Sequence, residues 1–298
     1  MLLYERGKMH KLKIESKKNV FEFIFDKHKI IIGDNYKRRF EIINSIRCFF
    51  NKISKTEYSS IKNFKNNIYL NENYLESRRH YFFELGIGFE LSSDLKLGSK
   101  SILLKYLEVV FEGIEFFDDV SNVNRLLDIF IKEFFEEESG FGNLTLNVDV
   151  QPINAKTLIK MLELCFLKEC FITNESDLTY EDNILMQLEM INKISILSKE
   201  KEVFAIINVP LLTKKIYEKI CELEKGVALV FIDFIEKDNF LSMNEVYLLD
   251  RIEIDLMNEE ELFELQMNHE KNLSLEQLRK DLFVQCDRFI ANDYNIDE

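Results

Sequence analysis

A glycine turn between a predicted strand and a predicted helix is the part of the sequence that could hold a nucleotide. Residues 30–32 are all isoleucine and predict a strand too apolar to be an edge, Gly33 interrupts it, and a helical pattern begins near Phe40. In such a unit, free backbone N–H groups and the positive end of the helix dipole face the turn, where a phosphate can bind. Any parallel strand followed by a helix gives the same pattern, so this alternative stays open.

The residues after Gly33 lack the chemistry of a phosphate-binding loop. Such a loop has a second glycine about five residues after the first, then Lys, then Ser or Thr for magnesium. Arg38, Arg39 and Phe40 occupy these three positions. Arg38 cannot adopt glycine conformations cheaply, Arg39 carries a wide guanidinium instead of a slender ammonium group, and Phe40 offers no oxygen. We therefore expect a nucleotide-binding frame with a disabled nucleotide site and no bound nucleotide.

A second apolar strand carries part of a catalytic pattern. The run Ala228 to Phe234 is similar to the strand that, in nucleoside triphosphatases, ends in a metal-holding Asp followed by a catalytic Glu. Asp233 is present, but Phe234 occupies the Glu position, so a base that activates water is absent from it. Two altered elements predict that the protein is not an enzyme. Two alternatives are that Asp233 only caps the next turn, or that an active triphosphatase uses Asp233 with an unusual basic loop.

Charge is distributed unevenly along the chain. Residues 1–105 contain 21 Lys+Arg and 12 Asp+Glu, whereas the other residues contain 18 and 41, giving a formal net charge of −14. A basic region can follow a phosphate backbone while an acidic remainder suppresses indiscriminate binding. The candidate DNA contacts are the basic residues Lys37, Arg38, Arg39, Arg47, Arg78 and Arg79. We expect Arg38 and Arg39 to be exposed in a polar turn. Three alternatives stay open. Both regions could be solvated faces, the basic region of one subunit could pair with the acidic region of another, or the acidic part could be a scaffold that binds a protein partner.

The order of the predicted elements indicates an α/β fold. Apolar runs at Val203–Val209 and Val227–Ile232 flank an amphipathic helix at Leu211–Glu224, as in a parallel sheet covered on both faces. Lys11–Ile14 and Val20–Phe25 predict a hairpin. We expect a degenerate P-loop-NTPase-like head with a mainly parallel sheet at 1–98 and 200–256, a long helical leg insertion at 99–199, and a C-terminal helical extension at 257–298.

Other elements follow from local patterns. These are a second leg helix capped by Ser121 or Asn122, a strand over Leu144–Val150, a helix from Asn154 to about Leu167, a helix opened by Thr179, a strand over Val246–Leu256, and a helix over Leu275–Ile290 with Ser274 and Gln277 as a capping box.

Candidate metal ligands are few. The four histidines, His10, His28, His80 and His269, are scattered in polar contexts, so we predict surface positions for them. Acidic runs that include Asp118, Asp119, Glu136 and Glu137 flank the second leg helix. Carboxylates at helix ends can hold calcium if a loop supplies further oxygens, although such runs are also typical of solvated helix ends.

The sequence predicts neither a membrane span nor a secretory signal. It has no uncharged apolar run of about 18 residues and no charged-then-apolar leader at Met1. We therefore expect a cytoplasmic protein.

Taken together, these elements resemble one family. The strand with the Gly33 turn, the helical insertion, the strand at Leu144 followed by the helix at Asn154, and the segment from Phe204 to Phe234 (FAIINVPLLTKKIYEKICELEKGVALVFIDF) occur in this order. The chain is similar over roughly Lys11 to Phe234 to the Csn-two family, the spacer-acquisition proteins of type II-A CRISPR loci, in one of its longer variants.

This resemblance implies a function. It implies a triphosphatase-related head without activity, a helical leg, and a homotetrameric ring, stabilised by calcium, whose basic inner surface holds double-stranded DNA ends. It also implies CRISPR antiviral defence beside the integrase pair and the RNA-guided nuclease. The acidic segment after Leu256 departs from the short form of the family.

Overall fold

The structure is a computed structural model. It describes residues 9–16, 19–50, 66–86, 101–138, 140–141, 144–145, 149–162, 166–168, 171–173, 178–237, 240–268 and 273–291. The chain divides into two compact units, one of Met1–Glu90 with Ile184–Glu298, the other of Leu91–Asn183.

The strands, in chain order, have the following bounds. They are β1 (His10–Glu15), β2 (Val20–Phe25), β3 (His28–Ile32), β4 (Asn67–Leu70), β5 (Asn73–Tyr74), β6 (His80–Leu85), β7 (Gly140–Phe141), β8 (Leu144–Thr145), β9 (Phe166–Lys168), β10 (Phe171–Thr173), β11 (Glu202–Leu212), β12 (Gly226–Ile235), β13 (Val246–Leu249) and β14 (Glu253–Asp255).

The helices alternate with these strands along the chain. The α-helices are α1 (Tyr36–Phe49), α2 (Ile102–Phe111), α3 (Ile114–Glu138), α4 (Ala155–Lys160), α5 (Tyr180–Leu197), α6 (Lys214–Cys221), α7 (Glu259–Met267) and α8 (Leu275–Val284). Short 3-10 helices span Ser77–Arg79, Met243–Glu245 and Gln285–Phe289.

The main sheet belongs to the first unit and has six strands in the order β14-β13-β3-β12-β11-β6. Neighbouring strands are parallel except for β13 and β14, which form an antiparallel pair. All five residues of β3 are buried, and β3 lies between two neighbours. This confirms the prediction that residues 30–32 are not an edge strand. The chain has an α/β fold with a mainly parallel sheet, as predicted.

A smaller antiparallel sheet, β2-β1-β4-β5, covers helix α1. Its first two strands are the predicted hairpin. Apolar side chains of this sheet, such as Phe23, share one core with Ile42 and Ile46 of α1 and with Leu229 and Phe231 of the main sheet. Each fully buried side chain of this size stabilises the fold by roughly 1.5–3 kcal/mol. This shared core fixes α1 between the two sheets, so the first turn of α1 is held beside the strand ends.

Side-chain caps determine where several helices begin. Helix α1 begins at Tyr36, four residues before the predicted Phe40, because the Asn35 side chain accepts a hydrogen bond from the Arg38 backbone N–H at 3.2 Å. The predicted caps at Asn154, Thr179 and Ser274 are confirmed. The last helix nevertheless ends at Val284 and continues as a 3-10 helix, not as an α-helix to Ile290.

The region predicted as one strand, Val246–Leu256, is instead the β13–β14 hairpin. The Asp250 N–H donates to the Ile252 carbonyl at 3.3 Å inside the turn. Apolar residues continue to alternate with polar ones across this short turn. The two-residue repeat that predicted the strand therefore could not reveal the turn.

Several boundaries in the second unit also differ from the predictions. Gly113 separates α2 from α3, and α3 therefore begins at Ile114, before the predicted caps Ser121 and Asn122. The helix after Asn154 ends at Lys160. Of the strand predicted over Leu144–Val150, the structure has Leu144–Thr145, while 146–148 lie outside the described residues and 149–150 are not in a strand. Among the described helices, none is both long and apolar enough to cross a membrane.

Candidate functional site

The turn between β3 and α1 approaches the neighbouring strand closely. Gly33 has a φ of 146°, in the region that favours glycine, and a Cβ atom there would collide with the backbone carbonyl of Leu249 in β13. The same carbonyl accepts a hydrogen bond from the Asn35 N–H at 3.1 Å. The glycine therefore serves to pack the turn against β13.

Arg39, in the first turn of α1, binds side chains of β11 and β12. Its Nη1 donates to Asp233 Oδ1 and its Nη2 donates to Asn208 Oδ1. Its guanidinium carbon lies 5.6 Å from the centre of the Phe231 ring. Such charge-assisted bonds are about twice as strong as neutral ones. The arginine that the sequence places at the expected lysine position is thus bound directly to Asp233, the carboxylate that the sequence places at the expected metal-ligand position.

This geometry corrects two expectations about the turn. Arg39 is 8% exposed, so the prediction that it is exposed is wrong. Asp233 lies within β12 and pairs with Arg39, so the alternative that it only caps the next turn is also wrong. Burial of the Arg39 side chain follows from its position on the face of α1 that packs on the main sheet. A guanidinium at that position requires acceptors, which Asp233 and Asn208 supply.

Arg38 lies on the other side of the same helix turn and is half-buried. Its Nε donates to Glu253 Oε1 at 2.7 Å and its Nη1 donates to Glu41 Oε2 at 3.1 Å. The hydrogen bond to Glu253 raises the pKa of Arg38 above its already high ordinary value. Arg38 therefore ties α1 to the β13–β14 hairpin.

The other candidate DNA contacts differ in how they are paired. Arg47 Nε donates to Glu84 Oε1 at 2.8 Å, and Arg79 Nε lies 2.9 Å from Glu76 Oε2 in a pair that is exposed on both sides. Lys37 and Arg78 are exposed, and no ion pair joins either of them to another residue in the described ranges.

The structure places five of the six candidates in two groups at opposite ends of the main sheet, and the sixth, Arg47, binds Glu84 of β6 between these ends. Residues 37–39 follow the carboxyl end of β3, and residues 78–79 precede the amino end of β6. Strand β11 gives the distance between the two groups. Its residue Glu202 pairs with the first residue of β6, and its residue Val209 is at the same height in the sheet as the last residue of β3. Seven residues of strand separate these two levels, or about 23 Å. One phosphate could not contact both groups.

The candidate calcium ligands do not form one site within a chain. Asp118, Asp119, Glu136 and Glu137 all belong to the single helix α3 and do not flank it. Along a helix, Asp119 and Glu136 are about 26 Å apart, whereas calcium ligands lie at about 2.3–2.6 Å from the ion. In the parts of the chain that the structure describes, no group of three His, Cys, Asp or Glu side chains could hold a metal ion.

The sequence reasoning missed a buried ion pair between Lys29 of β3 and Asp255 of β14. Lys29 is fully buried, and its Nζ donates to Asp255 Oδ1 and to the carbonyls of Ile24 and Asn244 at 2.9 and 3.0 Å. Asp255 also accepts the N–H groups of Ile24 and Met257 at 2.7 and 2.9 Å. Burial raises the pKa of Asp255, and the Lys29 ammonium group opposes this rise. The sequence does contain a signal for this pair, because a lysine directly before three consecutive isoleucines lies in a buried strand and needs a buried partner.

His28 is a further correction, because the prediction of a surface position for it is wrong. It is 7% exposed, and its Nε2 lies 3.5 Å from Glu245 Oε1. The Tyr217 hydroxyl donates to the same carboxylate at 2.9 Å. His269 lies outside the described residues.

Fold and site together define an α/β protein with a central strand–glycine turn–helix unit in which Arg39 of the helix binds Asp233 and Asn208 of the main sheet. No protein-family model matches the chain, and no curated protein matches it. Among solved structures, the chain is similar to the crystal structure of Stu0660 of Streptococcus thermophilus, with a TM-score of 0.60 and 13% sequence identity. The match covers 91% of this chain and 84% of that chain. At this identity the similarity concerns the fold.

Proposed function

We propose that the protein is a non-catalytic subunit that binds the ends of double-stranded DNA during CRISPR spacer acquisition, beside the integrase pair and the RNA-guided nuclease. The proposal combines the family resemblance of the sequence with the fold shared with Stu0660. The observation that supports the proposal most directly is that Arg39 donates to Asp233 and Asn208. Because the Arg39 cation and the Asp233 carboxylate bind each other, neither is free to bind a nucleotide phosphate or its metal ion.

Lys37 is the leading candidate for a phosphate contact at the carboxyl end of the sheet, and Arg78 at the amino end. Both are exposed and carry charges that no described acidic side chain pairs with. Arg39 supports the site from within the fold and does not contact DNA. Arg38, Arg47 and Arg79 already donate to carboxylates, so each would have to exchange that partner for a phosphate.

The proposal includes assembly into a homotetramer. Helix α3 of the second unit exposes apolar side chains along its length, which is typical of a protein–protein contact. They are Val123, Leu126, Ile129, Phe130 and Phe134. Closed symmetry would multiply weak phosphate contacts on one DNA molecule.

Light scattering after gel filtration should give a tetramer, and the double variant Leu126→Glu/Phe130→Glu should give a smaller species. A monomeric native protein at micromolar concentration would contradict this part.

The experiment that tests the function is a titration of linear blunt-ended duplex DNA at several salt concentrations. Phosphate contacts predict a log–log slope of about −0.9 per contact and little dependence on DNA sequence, because phosphates carry no base information. A covalently closed circle of the same sequence serves as the control without ends. Absence of any binding to linear duplex at low salt would refute the function.

A further inference from the structure

Two aromatic side chains are exposed on the first turns of α1. Tyr36 is 60% exposed and Phe40 is 66% exposed. They are four residues apart in one helix, so their Cβ atoms lie about 5–6 Å apart on the same face. Among the described residues, neither ring contacts another aromatic ring. More than half of the surface of each side chain is therefore open to solvent.

The fold does not need these two rings. The opposite face of α1 already buries Ile42, Ile46 and Phe49 in the shared core. The helix start is fixed independently by the Asn35 cap. Exposed aromatic residues are enriched where a protein binds a partner.

The charges around the pair suit a nucleic acid. Lys37 lies between the two rings in sequence, is exposed, and has no ion-pair partner among the described residues. The backbone N–H groups at the start of α1 add positive potential. The opposing charges are Asp34, an exposed carboxylate just before the helix, and the Glu41 and Glu253 carboxylates, which both bind Arg38. Exposed aromatic rings beside a cation can stack on a base next to its phosphate.

We infer that Tyr36 and Phe40 form a stacking platform for the terminal base pair of a DNA duplex, with Lys37 on the adjoining phosphate. This inference rests on the proposed function. Inside a duplex every base face is covered by its neighbour, whereas at an end one face is open. A stacking platform thus gives a physical reason for preferring ends to internal sites, which phosphate contacts alone do not provide.

The test compares the full-length protein with the variant Tyr36→Ala/Phe40→Ala on two DNA molecules, a blunt-ended linear duplex and a covalently closed circle. We expect the variant to bind the linear duplex about tenfold more weakly, in line with the usual effect of removing stacked rings. Binding to the circle should not change. The salt slope should also stay the same, because the rings carry no charge.

Matched variants control for the loss of exposed apolar surface. Phe263 and Met267 are also four residues apart on one helix and are 51% and 72% exposed. The variant Phe263→Ala/Met267→Ala should bind both DNA molecules like the native protein. The exchange Tyr36→Phe/Phe40→Tyr keeps both rings and should retain the preference for ends. Asp34→Asn should strengthen binding to the linear duplex.

The possible outcomes distinguish a failure of this inference from a failure of the proposed function. If the native protein binds no duplex, both fail. If it binds linear duplex and Tyr36→Ala/Phe40→Ala binds equally well, the platform is refuted while the function stands. A change of oligomeric state in this variant, seen by light scattering, would also refute the platform, because the rings would then be a contact between copies.

Discussion

The two ends of the main sheet carry similar runs of basic residues in very different surroundings. At the carboxyl end, Arg39 is buried and bonded to two side chains, and Arg38 joins two carboxylates. At the amino end, Arg79 has one exposed partner and Arg78 extends into solvent. A buried cation that loses its partner destabilises the fold strongly, whereas an exposed pair contributes little. Burial, and not the number of charges, therefore distinguishes structural cations from cations available to a ligand.

The largest loss of stability is expected for the fully buried pair of Lys29 and Asp255. Asp255→Ala leaves the Lys29 ammonium group buried without its counter-charge, so the free energy of unfolding should fall by about 4 kcal/mol, as measured by urea denaturation. The control is the solvent-accessible pair of exposed Lys11 and half-buried Glu22, with 2.7 Å between Nζ and Oε2. Glu22→Ala should change the free energy by less than about 1 kcal/mol. Equal losses in the two variants would contradict the comparison.

Arg39→Ala should have the next largest effect on stability. It leaves Asp233 and Asn208 near the strand ends without their donor, and we expect a loss of about 2–3 kcal/mol in the free energy of unfolding. Arg79→Ala at the other end of the sheet is the matched control and should stay within about 0.5 kcal/mol of the native protein. If Arg39→Ala were as stable as Arg79→Ala, the ion pair would not close the turn.

Charge reversal at the exposed cations should weaken DNA binding without unfolding the protein. Lys37→Glu and Arg78→Glu should each flatten the log–log salt slope by about 0.9 and lower the affinity several-fold for all DNA sequences. Lys280→Glu, on α8, is the control for net charge and should leave the slope unchanged. Circular dichroism checks folding. A variant with native affinity and native slope would remove that cation from the DNA surface.

The sequence pattern predicted most of the architecture around the site. The apolar run at 30–32, the hairpin before it and the apolar strands at 203 and 227 are local patterns that the fold retains. Capping side chains at Asn154, Thr179 and Ser274 act over three residues, so they too could be recognised. Asn35 was missed as a cap because the helical pattern was sought in apolar residues, which begin later in α1.

The partners of the basic residues could not be predicted in the same way. Arg39 and Asp233 are 194 residues apart, and Lys29 and Asp255 are 226 residues apart. Neither pair follows from local spacing, because the order of strands in the sheet brings them together. Arg38 and Arg39 are adjacent in sequence yet face different partners, since successive helical residues point about 100° apart. Polar residues within apolar strands, such as Asn208 and Lys29, were the signals that a buried partner was needed.

The most direct measurement is the melting temperature of the native protein with and without magnesium and ATP. A ligand at a hundredfold excess over its dissociation constant stabilises the folded state by about 2.7 kcal/mol, which would raise the melting temperature by several degrees for a chain of this size. Because Arg39 already binds Asp233 and Asn208 beside the turn where a nucleotide phosphate would have to bind, we predict no change at millimolar magnesium and ATP. A rise of several degrees, together with ATP turnover that Asp233→Ala abolishes, would contradict the account.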